Sequence, residues 1–171
     1  MADVYKVQPA KYVIMIHILC SIISYDIWFY ISHVLLHSKW MYKFHSEHHT
    51  KPIPNFLDTY VAHIVESPFQ GVGMFFPSIV FQYSAVDILI ILLILNIRGM
   101  LRHDERGTWL IGNHHLLHHK YPNFNYGEYW IDTLCGTKYP NKDEYKFGLV
   151  YRGVLNLSTP KWCHQVISYY T

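Results

Sequence analysis

Cysteine is scarce in this chain. Only Cys20, Cys135 and Cys163 occur in 171 residues, an odd number at wide spacing, which argues against a disulfide framework. Cys20 falls in an apolar run, and the other two read as facing a reducing compartment. Charge of one sign is scarce as well: fourteen Lys and Arg against twelve Asp and Glu leave a formal net charge of +2, which implies no nucleic-acid partner. There is no repeat, no low-complexity tract, no Ser/Gly linker and no flavin, haem or nicotinamide motif. A chain of this length without linkers is expected to form a single domain over residues 1–171.

What is abundant is apolar sequence, and it is unevenly placed. Tyr12 to Leu36 is nearly continuous, interrupted by His17, Ser21, Ser24 and Asp26, and Gly71 to Ile97 has Asp87 as its only charge. A membrane span needs about 20 such residues, so both stretches are expected to belong to an all-α, integral-membrane helical bundle. Two buried helices of a soluble bundle would be the alternative, but Asp87 to Leu95 is apolar on every side of a helix. The first stretch lacks a cleavage pattern and reads as a retained anchor after a short polar lead-in, Met1 to Lys11. Pro77, Gly71 and Gly73 argue that the second is not one straight span. Residues 72–83 and 85–97 are expected to form a hairpin bent near Gln82-Tyr83-Ser84, either crossing twice or re-entrant. Val61 to Phe69 is expected along the membrane surface with His63 and Glu66 as its polar edge, and the fifteen tyrosines read as interfacial anchors.

Nine of the thirteen histidines fall in two clusters. The first is His33-x-x-x-His37 followed by His45-x-x-His48-His49; the second is His114-His115-x-x-His118-His119, with His103 upstream. On a helix, residues three and four apart share a face with β-carbons roughly 5–6 Å apart, so each group can point two or three nitrogens at a common centre. Neutral imidazole suits iron, zinc, copper or nickel. One metal takes about four ligands or fewer, so this supply suggests two metals. A shared site requires both clusters on one side of the membrane. Lys39, Lys43, Lys51, Arg98, Arg102, Arg106 and Lys120 flank them, which places that side in the cytosol. His17 and His164 lie outside the pattern and read as structural.

The boxes His33-Val-Leu-Leu-His37, His45-Ser-Glu-His48-His49 and His115-Leu-Leu-His118-His119 resemble those of the fatty acid hydroxylase/sterol desaturase superfamily of membrane di-iron oxidases. Asp26-x-x-x-Tyr30-x-x-His33 is similar to the family's approach to its first box. Ala62-His63-x-x-Glu66 resembles a segment of C-4 methylsterol oxidases, and His103-Asp104 resembles one of C-5 sterol desaturases. Asn125-Tyr126-Gly127, Asp132 and Gly136-Thr137 match the family's C-terminal signature. The resemblance covers roughly residues 26–137. Trp130-Ile131-Asp132 sits about two residues closer to Asn-Tyr-Gly than the family's Trp-Asp.

The resemblance implies two irons, with zinc as a possible substitute, and O2 as co-substrate. It implies oxidation of an unactivated C–H bond in a lipid drawn from the bilayer, by desaturation or hydroxylation. A sterol-like substrate comes first. A fatty-acyl or sphingolipid chain is the alternative, and a non-catalytic metal-binding membrane protein is the other class. Electrons would come from cytochrome b5 and an NAD(P)H-dependent reductase, in the endoplasmic reticulum or an equivalent host membrane. The implied metal ligands are His33, His37, His45, His48, His49, His63, His103, His115, His118 and His119, with a pocket or core role as the alternative for His63. Asp26, Glu66, Asp104 and His114 are expected to support them, with metal ligation as the alternative for His114. Asp26, two helical turns before His33, would accept a hydrogen bond from a ligand's second nitrogen, or else bond another helix. Asn125-Tyr126-Gly127 is expected to make a tight turn that positions the distal box. Replacing His118 or His119 with alanine should lower bound metal, measured by elemental analysis, while leaving membrane insertion intact; unchanged metal in both variants would remove the distal box from the site.

Overall fold

The computed structural model describes residues 11–151 and, among them, is all-helical without a strand. The polar lead-in, Cys163, His164 and the end of the Tyr-rich tail lie outside the described residues. Helix α1 (Lys11–Leu36) is about 39 Å long at 1.5 Å per residue and is the one described helix long and apolar enough to cross a membrane. Its outer face carries exposed Ile16, Leu19, Ile23, Ile27 and Ile31, whereas Ser21, Asp26, Ser32 and His33 are buried on the other side. Apolar outside and polar inside is the reverse of a helix packed in water.

Small residues on that inner face let backbone approach closely, as they do between membrane helices. The Ser24 hydroxyl donates to the Gly73 carbonyl at 2.7 Å and the Trp28 indole donates to the Phe69 carbonyl at 2.6 Å. Both partners belong to a bent segment formed by α2 (Glu66–Gly71) and a 3-10 stretch, Val72–Ile79, that contains Pro77. A turn then leads into α3 (Ala85–Arg102), which Ser84 and Asp87 start with a reciprocal capping box. The hairpin therefore forms with its bend where the sequence places it. Its first arm is short and broken, and its second is a continuous helix. Met74, Ile91 and Leu95 pack between the arms and against Ile18, Ile22 and Tyr25 of α1. At the bend, His17 Nδ1 lies 3.2 Å from Asp87 and the Tyr83 hydroxyl donates to the His17 carbonyl at 2.9 Å. His17 is thus a structural contact between α1 and α3.

Beyond α3 come three short helices, α4 (Thr108–Ile111), α5 (His114–Lys120) and α6 (Tyr129–Cys135). Gly112, at φ +77°, turns the chain between α4 and α5, where a side chain would strike the backbone of Lys146. Residues 138–151 fold back over this end. Asn113 exchanges hydrogen bonds with the backbone of Glu144 and Lys146, and the Glu144 carboxylate gathers Lys120, Tyr121 and Tyr139.

Asp26 pairs with Arg98 at 2.7 Å, and Glu128, just before α6, pairs with Arg98 at 2.9 Å and with Arg102. These buried charges join α1, α3 and α6. Asp26 therefore takes the helix–helix role and meets no metal-site histidine. Arg98 and Arg102 are consumed in the same cluster rather than flanking the clusters at the surface.

The close contact of α1 with the bent segment yields a test. A β-carbon on Gly73 would lie 2.4 Å from that of Trp28, whereas one on Gly71 meets nothing within 4 Å. Gly73→Ala should cost about 1–3 kcal/mol by overpacking and lower the melting temperature in detergent by several degrees. Gly71→Ala should melt at or above the parent temperature. Identical melting of both variants would show that α1 and the bent segment do not meet at Gly73.

Candidate metal centre

Three separated pieces of chain bring the histidines together. His33 lies in the last turn of α1, and His37 follows it by one hydrogen-bonded turn. His115, His118 and His119 share α5, where their three- and four-residue spacing places them on one side. The middle box differs from expectation: His45, His48 and His49 sit not on an α-helix but on tight turns around the 3-10 segments Tyr42–Phe44 and His48–Thr50. The tighter turns splay neighbouring rings, and His48 and His49 stand at 89° to each other. His103 caps the end of α3.

The nine rings sort into two groups. His33, His37, His45, His49 and His118 form one; His48, His103, His115 and His119 form the other. Within each group one ring nitrogen from every member lies within 4.8 Å of the others. The adjacent pairs His48-His49 and His118-His119 are each divided between the groups.

Backbone carbonyls fix the orientation of four rings through Nδ1: Tyr126 holds His33, Phe124 holds His118 at 2.6 Å, Val61 holds His48 at 3.0 Å and Gly99 holds His103 at 2.7 Å. A carbonyl can only accept, so Nδ1 carries the proton in each and Nε2 is left as a bare lone pair. His45 Nδ1 shares a hydrogen bond with the Glu66 carboxyl instead, at 2.8 Å. The Nε2 atoms of His48 and His103 then face each other at 3.0 Å, those of His33 and His45 at 2.9 Å, and those of His49 and His118 at 3.1 Å. Between His48 and His103 neither nitrogen has a proton to share, and a cation between them satisfies both. The donors present therefore fit a metal in each group, which His33, His37, His45, His49 and His118 would hold in one and His48, His103, His115 and His119 in the other.

Burial keeps these rings ready as neutral ligands. Loss of hydration, reinforced by neighbouring imidazoles, lowers His49 to about 3 and holds His115 and His118 well below the usual histidine range. Burial, and then the charge of Glu47, pushes the Glu66 carboxyl up to about 8. A divalent cation on the far side of His45 would favour the carboxylate as its hydrogen-bond acceptor.

The turn after α5 is the least obvious part of the site. Asn125 adopts φ +60°, a left-handed conformation that asparagine tolerates, and it is fully buried. Its amide donates to the His114 carbonyl at 3.0 Å and accepts from Tyr139 N at 2.8 Å. That kink aims the carbonyls on either side of it, Phe124 and Tyr126, at His118 and His33. Asp132 secures the turn by accepting from the backbone of Tyr126 and Gly127, and it also receives His114 Nε2 at 2.9 Å. No residue-type signal reveals carbonyl acceptors such as those of Phe124, Val61 and Gly99; only Asn-Tyr-Gly hinted at the turn.

Not every expected residue joins the site. His63 stands outside both groups, its Nδ1 accepting from Val65 N and its ring tilted against Phe44. Asp104 binds Arg106 and the backbone of Phe56 rather than a histidine. His114 supports the turn through Asp132, and Glu66 touches His45 directly.

A cavity of about 620 Å³ opens onto both groups, with His33, His48, His103 and His115 at its inner end and Phe29, Met74, Leu92 and Leu95 among its walls. Its size is that of a small-molecule pocket. A search of curated proteins and a search of solved structures each gave no match. A family model described as fatty acid hydroxylase matches residues 18–137. That stretch runs from within α1 through the Asn125 turn and α6, and it holds every histidine of both groups. The chain belongs to the fatty acid hydroxylase family, in the superfamily of membrane-associated oxidoreductases that also includes the sterol desaturases.

Proposed function

We propose that this chain is an O2-dependent membrane oxidase that attacks an unactivated C–H bond of a sterol-like lipid through two histidine-held irons. The observation that carries this reading is the pair of imidazole groups, five and four strong, beneath a lipid-sized apolar cavity. One group would be held by His33, His37, His45, His49 and His118, and the other by His48, His103, His115 and His119. When bound, the irons supply the oxygen reduction and hydrogen abstraction that no side chain can perform.

The chain's own residues do the remaining work. Four carbonyls lock the tautomer of His33, His48, His103 and His118, so these donors need no reorganisation to receive metal, and Glu66 would do the same for His45 once ionised. Phe29 lies tilted against His33 and edge-on to His115 and, with Met74 and Leu95, would keep water from the cavity's inner end. Desaturation and hydroxylation both begin with one hydrogen removed, and the chain's features favour neither.

A membrane setting is supported by the exposed apolar stripes of α1 and of α3, where Val86, Leu89, Leu93 and Ile97 face outward. Lys39, Lys43, Lys51, Arg106 and Lys120 remain around the histidine end and support a cytosolic orientation, as in the endoplasmic reticulum. With no redox motif in the sequence, electrons would arrive from cytochrome b5 and its NAD(P)H-dependent reductase on that side.

Protein purified in mild detergent after iron-supplemented, low-oxygen expression should hold about two irons per chain, as two ligand groups require. It should also consume O2 when given NADH, cytochrome b5 and its reductase together with a sterol. Well-folded protein without stoichiometric metal would overturn the reading, and altered acyl chains with unchanged sterols would redirect the substrate. Replacing Glu66 with glutamine should weaken metal affinity by about 10- to 100-fold, measured by chelator competition. Asp26→Asn should instead leave the affinity unchanged and reduce thermal stability, because it breaks only the arginine cluster.

A further inference from the structure

The cavity's outer end differs chemically from its inner end. Tyr60 and Asn96 line it and are both exposed. Asn96 continues the outward stripe of α3 formed by Leu89 and Leu93, at helical spacing. An amide on a face otherwise suited to lipid is costly unless something uses it. The Tyr60 hydroxyl donates to Asn96 Oδ1 at 3.3 Å, and Asn96 Nδ2 donates to the Leu92 carbonyl at 2.8 Å. That leaves one amide hydrogen and free lone pairs on both residues, which is what a hydroxyl group can use as donor and acceptor. One turn inward, Gly99 faces Thr59, where a β-carbon would come within 3.1 Å of the threonine oxygen. A further turn brings α3 to His103. The face Asn96-Gly99-His103 thus runs from the polar lip to the metal group.

The lining also excludes a class of ligand. Arg102 is its one Lys or Arg, and it is spent on Glu128 and stacks over Phe29. Glu66, the one acidic residue of the lining, adds negative rather than positive charge. Lys51, which reaches the Phe56–Tyr60 turn, is bonded to Asp58 at 2.6 Å. A carboxylate or phosphate head group held at the outer end would therefore lose its hydration without gaining a free side-chain cation.

We infer that Tyr60 and Asn96 form the lip of a lateral portal, and that the lipid it admits is uncharged and bears a hydroxyl held at that lip. This deepens the reading above, since it rests on the cavity receiving a bilayer lipid. The shared chemistry has two sources, a sterol alcohol or the hydroxyls of a ceramide, and a fatty acid is excluded.

The test uses photoreactive lipids and no turnover. Full-length protein as purified, in lipid nanodiscs without reductant, is irradiated with a diazirine-bearing sterol, a ceramide or a fatty acid. The pH is mildly alkaline, so that the acid is ionised. At least one hydroxyl lipid should crosslink within residues 59–60 and 92–99, and the fatty acid about tenfold less. Whichever hydroxyl lipid is captured identifies the source. Asn96→Leu and Tyr60→Phe should each reduce capture of that lipid by several-fold, up to about tenfold, the worth of one net hydrogen bond. Capture of its methyl ether should not change. Equal capture of acid and alcohol, or full discrimination retained in both variants, overturns the inference. Capture that fails with two irons bound sinks this inference alone, and capture that persists in well-folded protein without metal sinks the oxidase reading alone.

Discussion

Lone pairs that face one another without a proton between them are the constraint on which this structure depends. Once carbonyls have claimed Nδ1 of His48 and His103, the two Nε2 atoms at 3.0 Å repel unless a cation joins them. The chain arranges this crowding from segments as distant as α1 and α5, and the distant segments are held by contacts that do not involve metal. The Asp26–Arg98–Glu128 cluster holds α1, α3 and α6 together, and the Asn125 turn, braced by the refolded stretch after α6, fixes where the His33 and His118 nitrogens point. Their common effect is a site whose donors are oriented in advance, with an electrostatic cost that a bound cation would offset.

The polarity of the fold follows from the same demand. Histidines, serines, arginines and carboxylates fill the interior, whereas isoleucine and leucine cover the outside of α1 and α3. In water such a chain would expose large apolar faces; beside lipid tails those faces cost nothing, and the polar interior is sheltered. The charges buried between α1, α3 and α6, those of Asp26, Arg98, Arg102 and Glu128, are paired with one another, as a low-dielectric setting requires.

Much of the site was legible because imidazole is the signal itself. The boxes at 33–37 and 115–119 lie on or just past helices as their spacing implies, and Pro77 with its glycines marked the hairpin as broken. The rest was hidden for physical reasons. Three- and four-residue spacing fits an α-helix and a tight 3-10 turn alike, so the middle box could not be told from a helix. Asp26 lies on the face of His33, yet Arg98, 72 residues away, competes for it and wins as a full charge over a neutral ring. Arg98 and Arg102 looked like surface cations for want of their partner Glu128. His63 has the right residue type beside Glu66, but its ring turns toward Phe44 and its own backbone.

The division of His48-His49 and His118-His119 between the two groups has a mechanical consequence. In each pair one peptide bond connects the two groups, so ordering one ring on a metal would restrict the backbone that carries the other. Filling one group with an ion would order both dipeptides and remove part of the entropy that filling the second would otherwise cost. Two ions bound in this way would load cooperatively, with singly loaded chains rarer than empty or doubly loaded ones.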